Sequence, residues 1–211
     1  MFSIKESVKY GWNKSKEHLE LVLFSTLLVL AIGSLVGSID DHRGGLNIST
    51  FGFVGAIFMI IIRIGYNKIF LRIHDGESPK FVEIFQEYRI FWRYLSVSIL
   101  FPLAVLGGFI LLVIPGIIWA VRFSFSPLIV IDTKIGPVAS MKESYAITKG
   151  YFLHLLFFWI ALAAINFLGL IFFGIGLLVT IPVTTLAAIH VYRELYKAKA
   201  GLIKTSSPQA V

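Results

Sequence analysis

Between Arg93 and Asp132 the chain runs for 38 residues with a single charged side chain, Arg122. A run that long and that apolar has no place in a water-soluble domain of 211 residues, which has too little interior to bury it. It is also too long for one helix, because about 20 apolar residues already cross a membrane core about 30 Å thick. Pro115 and Gly116 supply the break, since proline followed by glycine does not continue a regular helix. The stretch therefore reads as two spans, 94–113 and 114–131, joined in a tight hairpin.

The rest of the chain repeats the theme. Apolar segments cover 19–36 and 51–71, and a long one near the end breaks around 172–176 into spans 152–171 and 174–192. The expected fold is all-α: one integral membrane domain over residues 1–211, a polytopic bundle of six transmembrane helices. Composition agrees, with 57% hydrophobic and 15% charged residues, against about 45–50% and 25% in soluble domains. A soluble enzyme and a disordered chain are both excluded. With no cysteine, disulfides, thiolate metal sites and cysteine nucleophiles are excluded as well.

Charge placement fixes the expected orientation. Of the 19 lysines and arginines, fifteen fall in the N-terminal arm, the second and fourth loops and the C-terminal tail. The intervening loops hold only Arg43, and Arg63, Lys68 and Arg122 lie within spans. By the positive-inside rule both termini face the cytoplasm. The net charge of +7 is thereby a matter of topology, and no nucleic-acid partner is expected. The first span is expected to be retained rather than cleaved as a signal peptide. No A-x-A site follows it, and its loss would spoil the charge alternation.

Cytoplasmic segments carry amphipathic patterns. After Ser78-Pro79, residues Phe81, Ile84, Phe85, Tyr88, Phe91 and Trp92 follow helical spacing against Glu83, Gln86, Glu87, Arg89 and Arg93. A second such helix is expected over 137–150, with Val138, Met141 and Tyr145 on its apolar side and Lys142, Glu143 and Lys149 on its wet side. The N-terminal arm sets Ile4, Val8 and Trp12 against four lysines. Lys5-Glu6-Ser7 and Lys142-Glu143-Ser144 share three residues. Either the chain is a threefold repeat of one amphipathic helix and one hairpin, or these are ordinary basic loops beside a membrane.

Polar residues inside the spans are the candidate binding groups. Arg122 lies roughly 12 Å into its span at 1.5 Å per residue, where an arginine costs about 2.5–3.5 kcal/mol unless it faces protein, water or phosphate. It either holds an anionic headgroup or substrate, or pairs with carbonyls freed by Pro127 or snorkels to the interface. Arg63 and Asn67 share a face of the second span, and snorkelling is easier there. Asn166, with Thr180, Thr184 and Thr185, supplies polar groups that either line a ligand site or join helices by hydrogen bonds. His190, near the cytoplasmic end, is expected to be wet. No carboxylate lies mid-span, which counts against ion-coupled transport.

Gly33-x-x-x-Gly37, Gly107-Gly108 and Gly174-x-Gly176 allow close helix approach, and Pro102, Pro115, Pro127 and Pro182 interrupt apolar segments. No catalytic motif appears: no H-E-x-x-H, P-loop or G-x-S-x-G. Asp40-Asp41-His42 reads as a solvated loop. No catalytic residues, cofactor or metal are called for.

Three stretches taken together resemble a known family. They are I-P-G-I-I-W-A-V-R-F-S-F-S-P-L-I-V-I-D (114–132), S-M-K-E-S-Y-A-I-T-K-G-Y-F (140–152) and G-I-G-L-L-V-T-I-P-V-T-T-L-A-A-I-H-V-Y-R-E-L (174–195). They are similar to a group of uncharacterised prokaryotic six-span membrane proteins related to the membrane domain fused to glycerophosphodiester phosphodiesterases. The resemblance covers about 107–196. It implies a six-span domain of the prokaryotic cell membrane and points at Arg122, Ser144, Lys149, Gly150 and Pro182. It brings no activity, because the phosphodiesterase barrel is absent from this chain.

The expected function is a non-enzymatic module that binds lipid or another amphiphile, or a scaffold. Its partners are membrane lipids and either another membrane protein or a second copy of the chain. The alternative is a permease or flippase with a midplane site, and a lipid-headgroup enzyme comes third.

Overall fold

The computed structural model describes residues 2–41, 50–81, 90–171 and 175–206. Among them there are nine helices and no strand: α1 (Ile4–Glu17), α2 (Leu19–Asp41), α3 (Thr50–His74), α4 (Phe91–Leu111), α5 (Val113–Arg122), α6 (Ser126–Thr133), α7 (Pro137–Ile147), α8 (Phe152–Ile171) and α9 (Leu177–Ser206). Most of the amphipathic segment after Ser78-Pro79, the loop after Asp41, part of the 172–176 break and the end of the C-terminal tail lie outside the described residues.

Among the described residues, three stretches are long and apolar enough to cross a membrane: Phe91–Leu111, Val113–Thr133 and Phe152–Ile171. The pair Ile4–Glu17 and Leu19–Ser34, bent by 100°, makes a fourth if it counts as one broken span. The protein is thus all-α, with apolar helices of membrane-crossing length.

The hairpin in the 38-residue run turns at Leu112, ahead of Pro115-Gly116. Pro115 falls in the first turn of α5, where a missing N–H leaves no hydrogen bond unmade. Gly116 serves packing: a Cβ there would meet the Phe109 ring at 2.6 Å, and one on Gly108 would meet the Gly116 Cα at 2.8 Å. The turn satisfies its own backbone, with Leu112 N–H donating to the Gly108 carbonyl at 3.0 Å. Its tip is wholly apolar and outward-facing, Ile110 being 85% exposed.

The second arm of that hairpin is two helices. Phe123, Ser124 and Phe125 interrupt it, and α6 restarts with Pro127 in its first turn. Such a break frees the carbonyl of Arg122. Ser144 Oγ of α7 donates to that carbonyl at 2.7 Å, and Thr148 Oγ1 does so at 3.4 Å. For this, α7 turns Ser140, Ser144 and Ile147 inward and leaves Val138 and Tyr145 exposed, so a serine face packs on the protein while two residues of the expected apolar side stay on its surface. Ser144→Ala strips a buried acceptor of its main partner and is expected to cost about 1–3 kcal/mol, read as a lower denaturation midpoint.

α1 buries small residues in the same way, with Ser7, Gly11 and Ser15 one turn apart. They press on α9 so closely that a Cβ on Gly11 would lie 2.3 Å from the Val183 carbonyl oxygen. In both helices that carry Lys-Glu-Ser, the serine is on the buried face. The core between the helices is built from α3, α6, α8 and α9, around Phe70, Phe125, Phe158 and Tyr192.

Candidate functional site

Two hollows of about 440 and 560 Å³ open among the apolar helices. The smaller is lined by Asn67, Ser124, Trp159, Asn166, Thr184 and Thr185 with apolar neighbours. Ser34, Arg63, Tyr66, Asn67, Tyr94 and Thr185 line the larger. Asn67 and Thr185 belong to both, so the two hollows adjoin across a shared wall as a divided cleft. Its size is that of small-molecule sites generally.

Some polar groups there are held by their own helix and others by a neighbouring one. Asn67 Nδ2 donates to the Arg63 carbonyl one turn back at 2.8 Å. Thr185 Oγ1 donates to the Ile181 carbonyl at 2.8 Å, and Thr184 Oγ1 to that of Thr180 at 2.9 Å. Asn166 Nδ2 reaches Thr184 Oγ1 at 3.2 Å, joining α8 to α9. Trp159 Nε1 donates to Ser124 Oγ at 3.2 Å, at the break between α5 and α6. Tyr66 OH meets Thr26 Oγ1 at 3.3 Å. These bonds use some of the polar capacity, and among the described residues no hydrogen bond is made by the Asn67 side-chain oxygen or the Arg63 guanidinium.

Arg63 is exposed at the cleft, near the middle of a 25-residue helix, and no carboxylate pairs with it among the described residues. Three of the four sequence candidates line these adjoining hollows, Arg63 the larger, Asn166 the smaller and Asn67 both. Arg122 does not join them. Its guanidinium lies 4.5 Å from the centroid of the Tyr145 ring, and its carbonyl is taken by α7. The carbonyls freed near Pro127 are thus served by hydroxyls rather than by this arginine.

A second polar assembly, with no pattern in the sequence to mark it, joins the ends of α3 and α6 to the middle of α9. Arg193 Nη1 donates to Asp132 Oδ2 at 2.7 Å, and its Nη2 to Asp75 Oδ2 at 2.5 Å. Tyr192 OH donates to Asp132 at 2.8 Å. Burial works against the charge on Arg193, yet the two carboxylates outweigh it and raise its pKa. Beside this clamp, His74 Nε2 lies 3.3 Å from His190 Nδ1, and Tyr10 stacks on His190 with ring centroids 4.3 Å apart. His190 is therefore half-buried in an aromatic cluster rather than wet. Burial depresses the pKa of His74, against the pull of Asp75. The parts of this assembly are far apart in the chain, and no local pattern marks a carboxylate and an arginine about 60 residues apart as partners.

Fold and site together define the class: an all-α protein with helices of membrane-crossing length around a polar cleft. The chain is similar to uncharacterised proteins of Mycobacterium bovis and Mycobacterium tuberculosis, 22% identical over 224 residues, covering 92% of this chain and 69% of each relative. A second Mycobacterium tuberculosis strain has a similar uncharacterised protein at 21% identity with the same coverage. No protein-family model matches the chain. No solved structure matches it.

Proposed function

We propose that the protein is a six-span integral protein of the prokaryotic cell membrane, with both termini cytoplasmic, and that its cleft binds a lipid or another anionic amphiphile without chemical turnover. Kinship with the membrane domains fused to glycerophosphodiester phosphodiesterases is part of the same proposal. The alternation of basic segments supports the topology. The observation that carries the binding role is the placement of Arg63, Asn67 and Asn166 on adjoining hollows, with no carboxylate paired to Arg63 among the described residues. An arginine at that depth in lipid is costly without an anion or water. An amphiphile meets both needs of the cleft, its anionic group at Arg63 and its chain along the apolar walls.

Native mass spectrometry of protein released from a mild detergent tests this. The expected result is a bound lipid or metabolite whose occupancy falls roughly tenfold in Arg63→Gln, the loss of one charge-assisted hydrogen bond. A protein that flies bare, or one whose ligand is indifferent to Arg63→Gln, overturns the cleft as the binding site.

A permease is the second reading, favoured by Pro182 inside α9 beside the cleft-lining Thr184 and Thr185. Interrupted helices build midplane sites in transporters. Flux of the identified ligand across proteoliposomes separates carrier from binder.

A further inference from the structure

We propose that Arg122, Lys142 and Lys149, arrayed around Tyr145, form a separate site for a phosphate-bearing anion. The cleft plays no part in this, because Arg122 does not line it. The backbone of Arg122 is pinned by Ser144 and Thr148, so its side chain leaves α5 from a fixed point against α7. The guanidinium sits over the Tyr145 ring at 4.5 Å. Stacking of that kind uses the face of the cation and leaves its in-plane N–H donors free. One of those donor atoms, Nη1, is buried and has no hydrogen-bond partner. A buried donor left unpaired is rare in a native protein and calls for an acceptor.

The surrounding charges favour an anionic acceptor. Lys142 precedes Tyr145 by three residues on the same side of α7, and Lys149 lies in the turn just past the end of that helix. Both are exposed, and among the described residues no carboxylate pairs with either. Glu143, the one acidic residue of α7, is engaged elsewhere: Lys199 Nζ holds its two oxygens at 2.6 and 2.8 Å. Arg122 at the Tyr145 ring and two lysines close by in sequence thus have no carboxylate partner among the described residues. A planar guanidinium and two ammonium groups match a tetrahedral oxyanion, since the guanidinium bonds two oxygens in its plane and the lysines approach as point charges.

The neighbourhood on the other side is aromatic. Phe123 packs on Tyr145 at 6.3 Å and Trp119 on Phe123 at 6.5 Å, both rings half-buried. A strip of rings beside a cation suits the junction of a lipid headgroup with its chains. The chemistry recognised is the phosphate, and its source is either an anionic phospholipid or free phosphate.

Titrations of the full chain in zwitterionic nanodiscs test the site, with phosphatidylglycerol added in one series and inorganic phosphate in another. Thermal midpoint and native mass spectrometry are the readouts. Phosphatidylglycerol is expected to bind the wild type roughly tenfold more tightly than phosphatidylcholine. That preference should fall several-fold in the double variant Lys142→Gln/Lys149→Gln, whose exposed positions leave folding intact, and further in Arg122→Gln. Any phosphatidylglycerol that Arg63→Gln releases belongs to the cleft, and its loss should add to that of the double variant rather than replace it. Equal protection by inorganic phosphate makes free phosphate the ligand and keeps the site. No preference for phosphatidylglycerol together with no response to phosphate overturns it, as does wild-type binding by the double variant.

Discussion

Arg193→Ala is expected to lower stability by about 3–5 kcal/mol, the usual cost of removing one partner from a buried ion cluster. Arg193 is the one cation between Asp75 and Asp132, which approach it from the ends of α3 and α6. Alanine leaves two carboxylates facing each other with no counter-charge, and it leaves Tyr192 OH as the remaining partner of Asp132. Most of the loss belongs to Asp132, whose side chain is 15% exposed, because Asp75 at 39% is partly screened by solvent. Denaturant unfolding in detergent reads the change. Arg193→Ala/Asp132→Asn should recover part of it by removing the stranded charge. A loss under about 1 kcal/mol would place the clamp among ordinary surface pairs.

The second large effect is steric. Gly11→Ala places a methyl 2.3 Å from the Val183 carbonyl oxygen and 3.1 Å from the Ala187 nitrogen. Both obstacles are main chain of α9 and cannot rotate away, so α1 must lift. Overpacking of this kind costs about 1–3 kcal/mol. Local release of α1 should show first, as faster amide exchange over Ile4–Glu17 while α4 and α8 stay protected. Gly107→Ala is the control: nothing lies within 4 Å of its added Cβ. There alanine should be neutral or stabilising by up to about 1 kcal/mol through helix propensity. Equal loss in both variants would contradict the close contact.

The helical class and the location of its breaks follow from the apolar runs, because a segment of about 20 apolar residues has few other folds open to it. The position of the hairpin turn is shifted by a few residues. Pro115 signals a helix boundary equally well as the last residue before a break or as a first-turn residue after one, and the chain uses the second. The faces of α1 and α7 were less legible. Periodicity marks Trp12, Val138 and Tyr145 as one apolar side of each helix and gives no sign that the small residues Ser7, Gly11 and Ser144 form the face that packs on the protein. Large apolar groups face outward freely when the surroundings are themselves apolar, so the usual contrast between wet and dry faces fades.

The candidate site was legible by residue type and not by geometry. Depth alone singles out Arg63, Asn67, Asn166 and Arg122 as polar groups in costly places. That the first three share a cleft depends on helix contacts between segments about 100 residues apart in sequence. The separation of Arg122 from them depends on hydroxyls of α7 reaching its carbonyl, which no spacing rule announces.

The seat of α1 on α9 also orders events during synthesis. α1 is made well before Val183 and Ala187, which receive Gly11 and lie about 170 residues downstream. At about 5–20 residues per second the ribosome takes on the order of ten seconds or more to cover that distance. Throughout that interval the Ser7, Gly11 and Ser15 face has no groove to enter. The α4–α5 hairpin needs only its own neighbours and can close as it emerges. The first helix is then the latch that shuts last, and the finished bundle is recognisable by that late closure.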